Sequence, residues 1–63
     1  MGKTLVAFFD AIKKEGGLPA QMRLAMKAGM SSDKAAAAPD SPDAIAKFRA
    51  AYREITGKDA PVR

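Results

Sequence analysis

The chain has 63 residues, a formal net charge of +4 and neither cysteine nor histidine. A chain of this length makes one domain, residues 1–63, and buries only about 60% of the surface that its unfolded form exposes, so we expect marginal stability. The missing residue types exclude disulfides, the usual zinc, haem and iron–sulfur ligand sets, and catalytic triads built on Cys or His. We therefore expect no cofactor and no bound metal.

The first predicted helix covers residues 4–15. Its large apolar side chains recur at helical spacing and share one face; they are Leu5, Phe8, Phe9 and Ile12. Thr4 is the expected N-cap, because its hydroxyl can accept a hydrogen bond from a backbone N–H of the first turn. Gly16 and Gly17 are expected to end the helix, since glycine accepts the left-handed conformation found just past a helix end.

The second predicted helix covers residues 19–28 and begins with Pro19, whose missing N–H costs nothing in a first turn. Its predicted inward stripe consists of Leu18, Met22, Ala25, Met26 and Gly29. Methionines at four-residue steps are typical of core positions, although flexible thioethers also suit an adaptable protein-binding groove. Leu24 lies outside this stripe and Met30 follows the helix end, so both are candidate residues of an apolar interface.

Residues 31–41 leave two interpretations open. Four consecutive alanines favour a short helix over residues 33–37 with Ser32 as its cap, but so short a helix has little stability of its own. Pro39 disfavours helical geometry at the residue before it and ends such a helix. The alternative is an irregular linker between the second and third main helices.

The third predicted main helix, residues 42–56, has the clearest boundaries. Ser41 is its expected cap, Pro42 occupies the first turn, and Gly57 ends it. Its large apolar side chains fall at spacings of three, four and three and form one stripe; they are Ile45, Phe48, Tyr52 and Ile55. This stripe is expected to pack across the first helix, with Tyr52 at the rim of the core where its hydroxyl reaches water.

Together these elements predict an all-α fold, a small three-helix bundle, with a short fourth helix as the open question between the second and third helices. The tail, residues 58–63, has no periodic pattern and is expected to fray. No stretch approaches the roughly 18 apolar residues needed to span a bilayer, and no signal-peptide cleavage site follows a long apolar run. We therefore expect a cytoplasmic protein with no membrane partner.

The carboxylates do not predict catalysis. They fall on polar helix faces, in caps and in loops, and include Asp10, Glu15, Asp33, Asp40, Asp43 and Glu54. General acid–base catalysis needs paired carboxyl groups in a cleft, and a bundle this small has little room for one. The chain is therefore expected not to be an enzyme.

One segment resembles the core of a DNA-binding helix-turn-helix. Ala25 is followed four residues later by Gly29, and then by Met30 and Ser31, in an arrangement where the small residue permits close helix crossing and the glycine makes the turn. The resemblance implies that the following helix enters the major groove of DNA. A recognition helix normally offers Arg, Asn, Gln or Ser to the bases. This chain departs from that pattern, because the following helix offers Lys34 among alanines, with Ser32 as a further candidate.

Five basic residues are candidate contacts with a partner or with phosphate groups: Arg23, Lys27, Lys34, Arg49 and Arg53. A basic domain favours acidic partners in general, but nucleic-acid binding requires these residues to converge on one face. The alternative is a solvated surface whose alkyl stems cover the apolar stripe. Ala46 and Ala50 leave the back of the third helix smooth, so that a second helix fits closely there.

The sequence therefore predicts a small non-enzymatic interaction or regulatory module that acts through helix-face contact with a protein partner or with a second copy of itself. The positive evidence for this role is that the chain has more large apolar residues than so small a core is expected to bury. They include Val6, Leu24 and Met30. Nucleic-acid binding through the helix-turn-helix-like segment, residues 24–38, is the second candidate function.

Overall fold

Three helices build the fold in the computed structural model, which describes residues 1–62. They are α1 (Lys3–Lys27), α2 (Ser32–Ala37) and α3 (Pro42–Thr56). α1 packs against both of the others, and most of its contacts are with α3. The predicted all-α bundle is confirmed, and the short helix between the main helices is present. α3 has the predicted bounds, and its cap bond runs from the Ala44 N–H to the Ser41 hydroxyl over 3.1 Å.

α1 contains the first two predicted helices and joins them at a kink. Gly17 has φ 73° and ψ −161°, a conformation outside the helical region that residues with a Cβ rarely adopt. Pro19 lies in the next turn, where its ring removes one backbone donor. We call the parts on either side of Gly17 the first segment, residues 3–16, and the second segment, residues 18–27.

Aromatic rings join α1 to α3 at the centre of the molecule. The ring of Phe48 meets Phe8 and Phe9 edge-on, with centroids 6.4 and 5.3 Å apart. This geometry suits the ring quadrupoles and adds to the gain from burial. Phe8 and Phe48 are fully buried, and Tyr52 is only 2% exposed. The predicted packing of α3 across the first segment is therefore correct, but Tyr52 lies deeper than the predicted rim.

The inward face of the second segment differs from the predicted methionine stripe. The buried residues are Ala20, Leu24, Ala25 and Ala28, whereas Leu18, Met22 and Met26 are exposed. Ala25 is buried as predicted, but the inward placement of Leu18, Met22 and Met26 was wrong, because it gave their hydrophobicity more weight than the size of the side chains at the contact. Close packing between helices selects small side chains at the contact, and three alanines supply them here. Leu24, predicted as part of an apolar interface, is fully buried in the core and not accessible to a partner.

The end of α1 and the start of α2 form one compact joint. The Met30 N–H bonds to the Ala25 carbonyl at 3.0 Å, the bond that closes a Schellman motif, and the half-buried Met30 side chain packs on the core. The side chain that caps α2 belongs to Ser31 and not to the predicted Ser32, since the Lys34 N–H donates to the Ser31 hydroxyl at 3.3 Å.

The first turn of α1 is capped by a residue distant in sequence. The Asp40 carboxylate accepts hydrogen bonds from the backbone N–H groups of Thr4 at 2.9 Å and Leu5 at 3.3 Å. Thr4, the predicted N-cap, does not cap the helix, because the N-cap position is Gly2. A Cβ at Gly2 would lie 2.1 Å from an Asp40 carboxylate oxygen, so glycine leaves the space this carboxylate occupies. The Gly2 N–H also bonds to the Ala38 carbonyl at 3.2 Å.

The tail after α3 is packed and not frayed as predicted. Ala60 is buried, and Val62 packs against the core. Lys58 bridges to Glu15 of the first segment over 2.8 Å, and the hydrogen bond to Glu15 raises the pKa of Lys58. These contacts return the chain to α1, which local sequence patterns do not reveal. Arg63, the last residue of the predicted frayed tail, lies outside the described residues.

Replacing Asp40 with asparagine is expected to destabilise the fold at neutral pH and to remove part of its pH dependence. The bond from the Thr4 N–H, assisted by the Leu5 N–H, holds the pKa of Asp40 below its usual value. The resulting stabilisation is fully present above the unfolded-state pKa, near about pH 4, and is lost as the pH falls through the lower folded-state pKa.

Thermal unfolding of the wild type and Asp40→Asn across this range should therefore show a gap in Tm that narrows below about pH 4. Asp10→Asn is the matched control, because Asp10 is an exposed carboxylate within α1 and away from its N-terminus. A gap of equal size at every pH would show that the charge of Asp40 does not contribute to the cap.

A pair of alanine substitutions tests which face of the second segment is buried. Leu24→Ala is expected to cost about 2–5 kcal/mol of unfolding free energy, because the side chain has no exposed surface and its loss leaves a cavity. Met26→Ala is expected to change it by less than about 0.5 kcal/mol, since 73% of Met26 is exposed. Urea unfolding measures both values. An equal loss of unfolding free energy in the two variants would show that the Met26 side chain is buried in the core.

Candidate interaction surface

Five large apolar residues are exposed within residues 1–62, and they form two groups that share Met22. Leu18, Met22 and Met26 are 64%, 56% and 73% exposed and recur at four-residue steps along the second segment. We call these three residues the methionine face. Met1 and Val6 are the other two, and both line a groove that includes Met22. Single exposed apolar residues are normal in folded proteins, but a contiguous group of them marks a site of contact.

The groove beside the methionine face has a volume of about 340 Å³ and lies between the two segments of α1 and α2. Its lining residues are Met1, Val6, Phe9, Gln21, Met22, Ala25, Ser32 and Ala35. The Gln21 amide donates to the Phe9 carbonyl at 3.1 Å, which ties the second segment to the first across the groove. The surface is therefore apolar and held in shape by the fold.

A basic edge borders the methionine face on the side away from the groove. Arg23 and Lys27 lie one residue beyond Met22 and Met26, and therefore about 100° further around the helix. Together with Met26 they line a second depression, whose far wall is Glu54 and Ile55 of α3. Lys27 lies 3.9 Å from Glu54, and both side chains are about half exposed or more.

The structure separates the five predicted basic residues into three places. Arg23 and Lys27 form the basic edge, and Lys34 is exposed on α2. Arg49 and Arg53 line a different depression on the outer flank of α3, together with Ala46 and Ala50. Since Arg53 and Glu54 are neighbours on α3, their side chains diverge by about 100°. The two basic pairs thus border different sides of α3 and do not form one basic face.

Arg49 and Arg53 are engaged by the chain itself. The Arg49 guanidinium donates to the Val62 carbonyl at 2.9 Å and lies 5.3 Å from the centre of the Phe8 ring. Arg53 pairs with Asp59 over 2.7 Å. Both residues therefore hold the tail against α3, which leaves fewer of their N–H donors for phosphate groups.

The helix-turn-helix-like segment has the joint of that motif but a short second helix. Gly29 has the positive φ of a turn, and α2 extends for only six residues. Ala35 is buried, and the exposed positions carry Ser32, Asp33, Lys34 and further alanines. Of the side chains that normally read base edges, this helix supplies only Ser32, at its first position.

Most carboxylates of the chain have structural partners. Asp40 caps α1, Asp43 pairs with Lys47 within α3, and Glu15, Glu54 and Asp59 pair with basic side chains. In the part of the chain that the structure describes, no three acidic residues gather as a possible metal site, and no helix combines the length and apolar character that crossing a bilayer requires. No protein-family model, no curated protein and no solved structure matches the chain.

The residues of the methionine face were visible in the sequence but placed on the wrong side of their helix. The signal that identifies the true inward face is the spacing of Ala20, Leu24 and Ala28, which also recur at four-residue steps. Alanine carries little hydrophobic weight, so this stripe is weaker than the methionine stripe by hydropathy. Its importance follows from packing, which requires a neighbouring helix at close range.

Replacing Arg49 tests whether it holds the tail. Arg49→Ala is expected to lower the unfolding free energy by about 1–2 kcal/mol, because it removes a charged hydrogen bond and a cation–π contact. Amide hydrogen exchange in residues 58–62 is expected to accelerate. Arg53→Ala is the control, since its ion pair with Asp59 is largely exposed and such pairs contribute about 0–1 kcal/mol. Unchanged amide hydrogen exchange in residues 58–62 of Arg49→Ala would show that contacts other than those of Arg49 hold the tail.

Proposed function

We propose that this protein is a small non-enzymatic interaction module that binds another protein through the methionine face and the adjacent groove. The observation that carries the proposal is that each exposed large apolar residue of positions 1–62 belongs either to the methionine face or to the groove that shares Met22 with it. Apolar surface in water is unfavourable by about 25 cal/mol per Å², and a bound partner removes that contact. As predicted from the sequence, the proposed contact is made by a helix face. The residues that make it are different, because Leu24 is buried and is no longer a candidate.

The chemistry of the face supports reversible binding to a protein. Leu18, Met22 and Met26 project from a regular helix, so little backbone entropy is lost when a partner binds. Methionine side chains are unbranched and polarisable, and they adapt to the shape of an apolar partner. The role of the partner, a regulatory function and a cytoplasmic location stay predictions from the sequence.

Nucleic-acid binding has less support from the geometry than protein binding. It requires the basic residues to act together, and they occupy three places. An NMR titration with duplex DNA at low salt tests it directly, because phosphate contacts are strongest there. We expect no salt-dependent shifts at Arg23, Lys27, Arg49 or Arg53. Shifts at both basic pairs would replace protein binding with nucleic-acid binding as the function.

Site-specific photo-crosslinking tests the protein-binding proposal. A photoreactive amino acid at position 22 is expected to yield discrete crosslinked protein species in cells that naturally make this protein. The same group at position 47 is the control, because Lys47 is an exposed residue of α3 outside the methionine face. Adding Met26→Gln to the position-22 variant should lower the yield, since it removes apolar contact without loss of helix propensity.

Two outcomes would contradict the proposal. Equal crosslinking from positions 22 and 47 would show that the methionine face is not a preferred contact surface. If position 22 yields no crosslinked protein, the methionine face does not bind a protein partner in these cells. Sedimentation equilibrium separates a foreign partner from self-association, and a 6.6 kDa species at high micromolar concentration is expected for the protein alone.

A further inference from the structure

We propose that the partner presents an amphipathic α-helix whose apolar stripe is flanked by acidic residues. The inference rests on the proposed function and specifies the chemistry of the partner at the same surface. The partner helix lays its apolar side chains on the methionine face and in the groove, and its carboxylates lie beside the basic residues at the borders.

The shape of the surface fits a helix. From Leu18 to Met26 the methionine face extends about 12 Å along the second segment, which matches two turns of a partner helix with apolar residues at i, i+3 or i+4, and i+7. The groove alongside is concave, because its walls come from both segments of α1 and from α2. A concave apolar surface accepts the projecting side chains of a helix better than the flat plane of a lipid bilayer.

Positive charge lies beside this surface in two places. Arg23 and Lys27 form one; among residues 1–62 Arg23 has no ion-pair partner, and the only one of Lys27 is Glu54 at 3.9 Å. The other is Lys13, which follows Phe9 by four residues and Val6 by seven and so continues their helix face beyond the groove, towards the kink.

Within the described part of the chain, the carboxylate nearest the basic edge is Glu54, which lies beyond it on α3. Neither the methionine face nor the groove lining includes a carboxylate, and the only polar side chains in the lining are Gln21 and Ser32. Complementary charge steers association and selects among partners that bury similar apolar area. A helix with Glu or Asp beside its apolar stripe is therefore favoured over a neutral or basic one.

The same charges disfavour a second copy of this chain as the occupant. Self-association through the methionine face would bring two basic edges into one interface, and the chain carries a formal net charge of +4. Like charges placed together across an interface oppose binding. Charge complementarity therefore points to a different, acidic protein.

Selection from a displayed library of helical peptides tests the inference. Four positions at i, i+3, i+4 and i+7 vary among Leu, Ile, Met and Phe, and the flanking positions vary among Glu, Gln and Lys. Selection on the full chain is expected to enrich Glu at the flanks. Met22→Gln is expected to weaken selected peptides at least about tenfold, because central apolar contacts carry most of the binding energy.

A comparison of charge-neutralising variants then locates the contacts that the acidic residues of the peptide make. Arg23→Gln with Lys27→Gln is expected to weaken a selected Glu-flanked peptide by about threefold to thirtyfold and to leave its Gln-flanked counterpart nearly unchanged. Lys47→Gln with Arg53→Gln is the matched control, since it removes the same charge from α3 away from the surface. Equal effects of the two double variants would overturn the assignment of the basic edge.

The remaining outcomes separate this inference from the proposed function. Enrichment of Lys or Gln at the flanks, or failure to select any peptide, overturns the acidic helix, while crosslinking from position 22 still tests protein binding by itself. Vesicles of phosphatidylserine and phosphatidylcholine form the last arm. Vesicle binding that depends on Met22 and exceeds peptide binding would make an anionic lipid surface the occupant and would also overturn the inference.

Discussion

The positive φ of Gly17 is the constraint on which the arrangement of this protein depends. An uninterrupted helix over the 25 residues of α1 would extend about 38 Å, whereas the longest dimension of the molecule is 24 Å. The change of direction at Gly17 places both segments against the remaining chain. It also determines the rotation of the second segment about its axis, and with it which side chains of that segment meet the core.

The core achieves its packing with small residues. Among residues 1–62, eight of the fourteen buried residues of the core are alanine, and the large ones are concentrated in α3 and the first segment. Phe48 makes edge-on contacts with both Phe8 and Phe9, while the second segment contributes Ala20, Ala25 and Ala28 around Leu24. Because small side chains fill the contact between the second segment and the rest of the core, the larger side chains of Met22 and Met26 remain outside it. Their exposure follows from the packing and does not require a defect in the fold.

Local chemistry determines part of this structure, and that part was predictable from the sequence. The bounds of α3 follow from Ser41, Pro42 and Gly57, each of which acts on its own turn. The inward face of the second segment was not predictable by hydropathy, because the choice between alanines and methionines depends on how closely a neighbour approaches.

Contacts between distant residues account for the remaining differences. Asp40 caps a helix that begins more than thirty residues earlier, and Arg49 holds Val62 across the end of α3. Neither contact has a local sequence signature. The position of the candidate surface was missed for the same reason, since its groove combines α2 with both segments of α1.

The Asp40 cap links the groove to the order of the first turn of α1. The cap joins that turn, which carries Val6, to the loop that follows α2, and α2 carries Ser32 and Ala35 of the groove. Local unfolding at this junction is therefore expected to dismantle the groove, so that the two events form one cooperative unit. A partner that occupies the groove holds this unit closed and stabilises it by mass action. Binding at the surface and order at the beginning of the chain are thus thermodynamically linked.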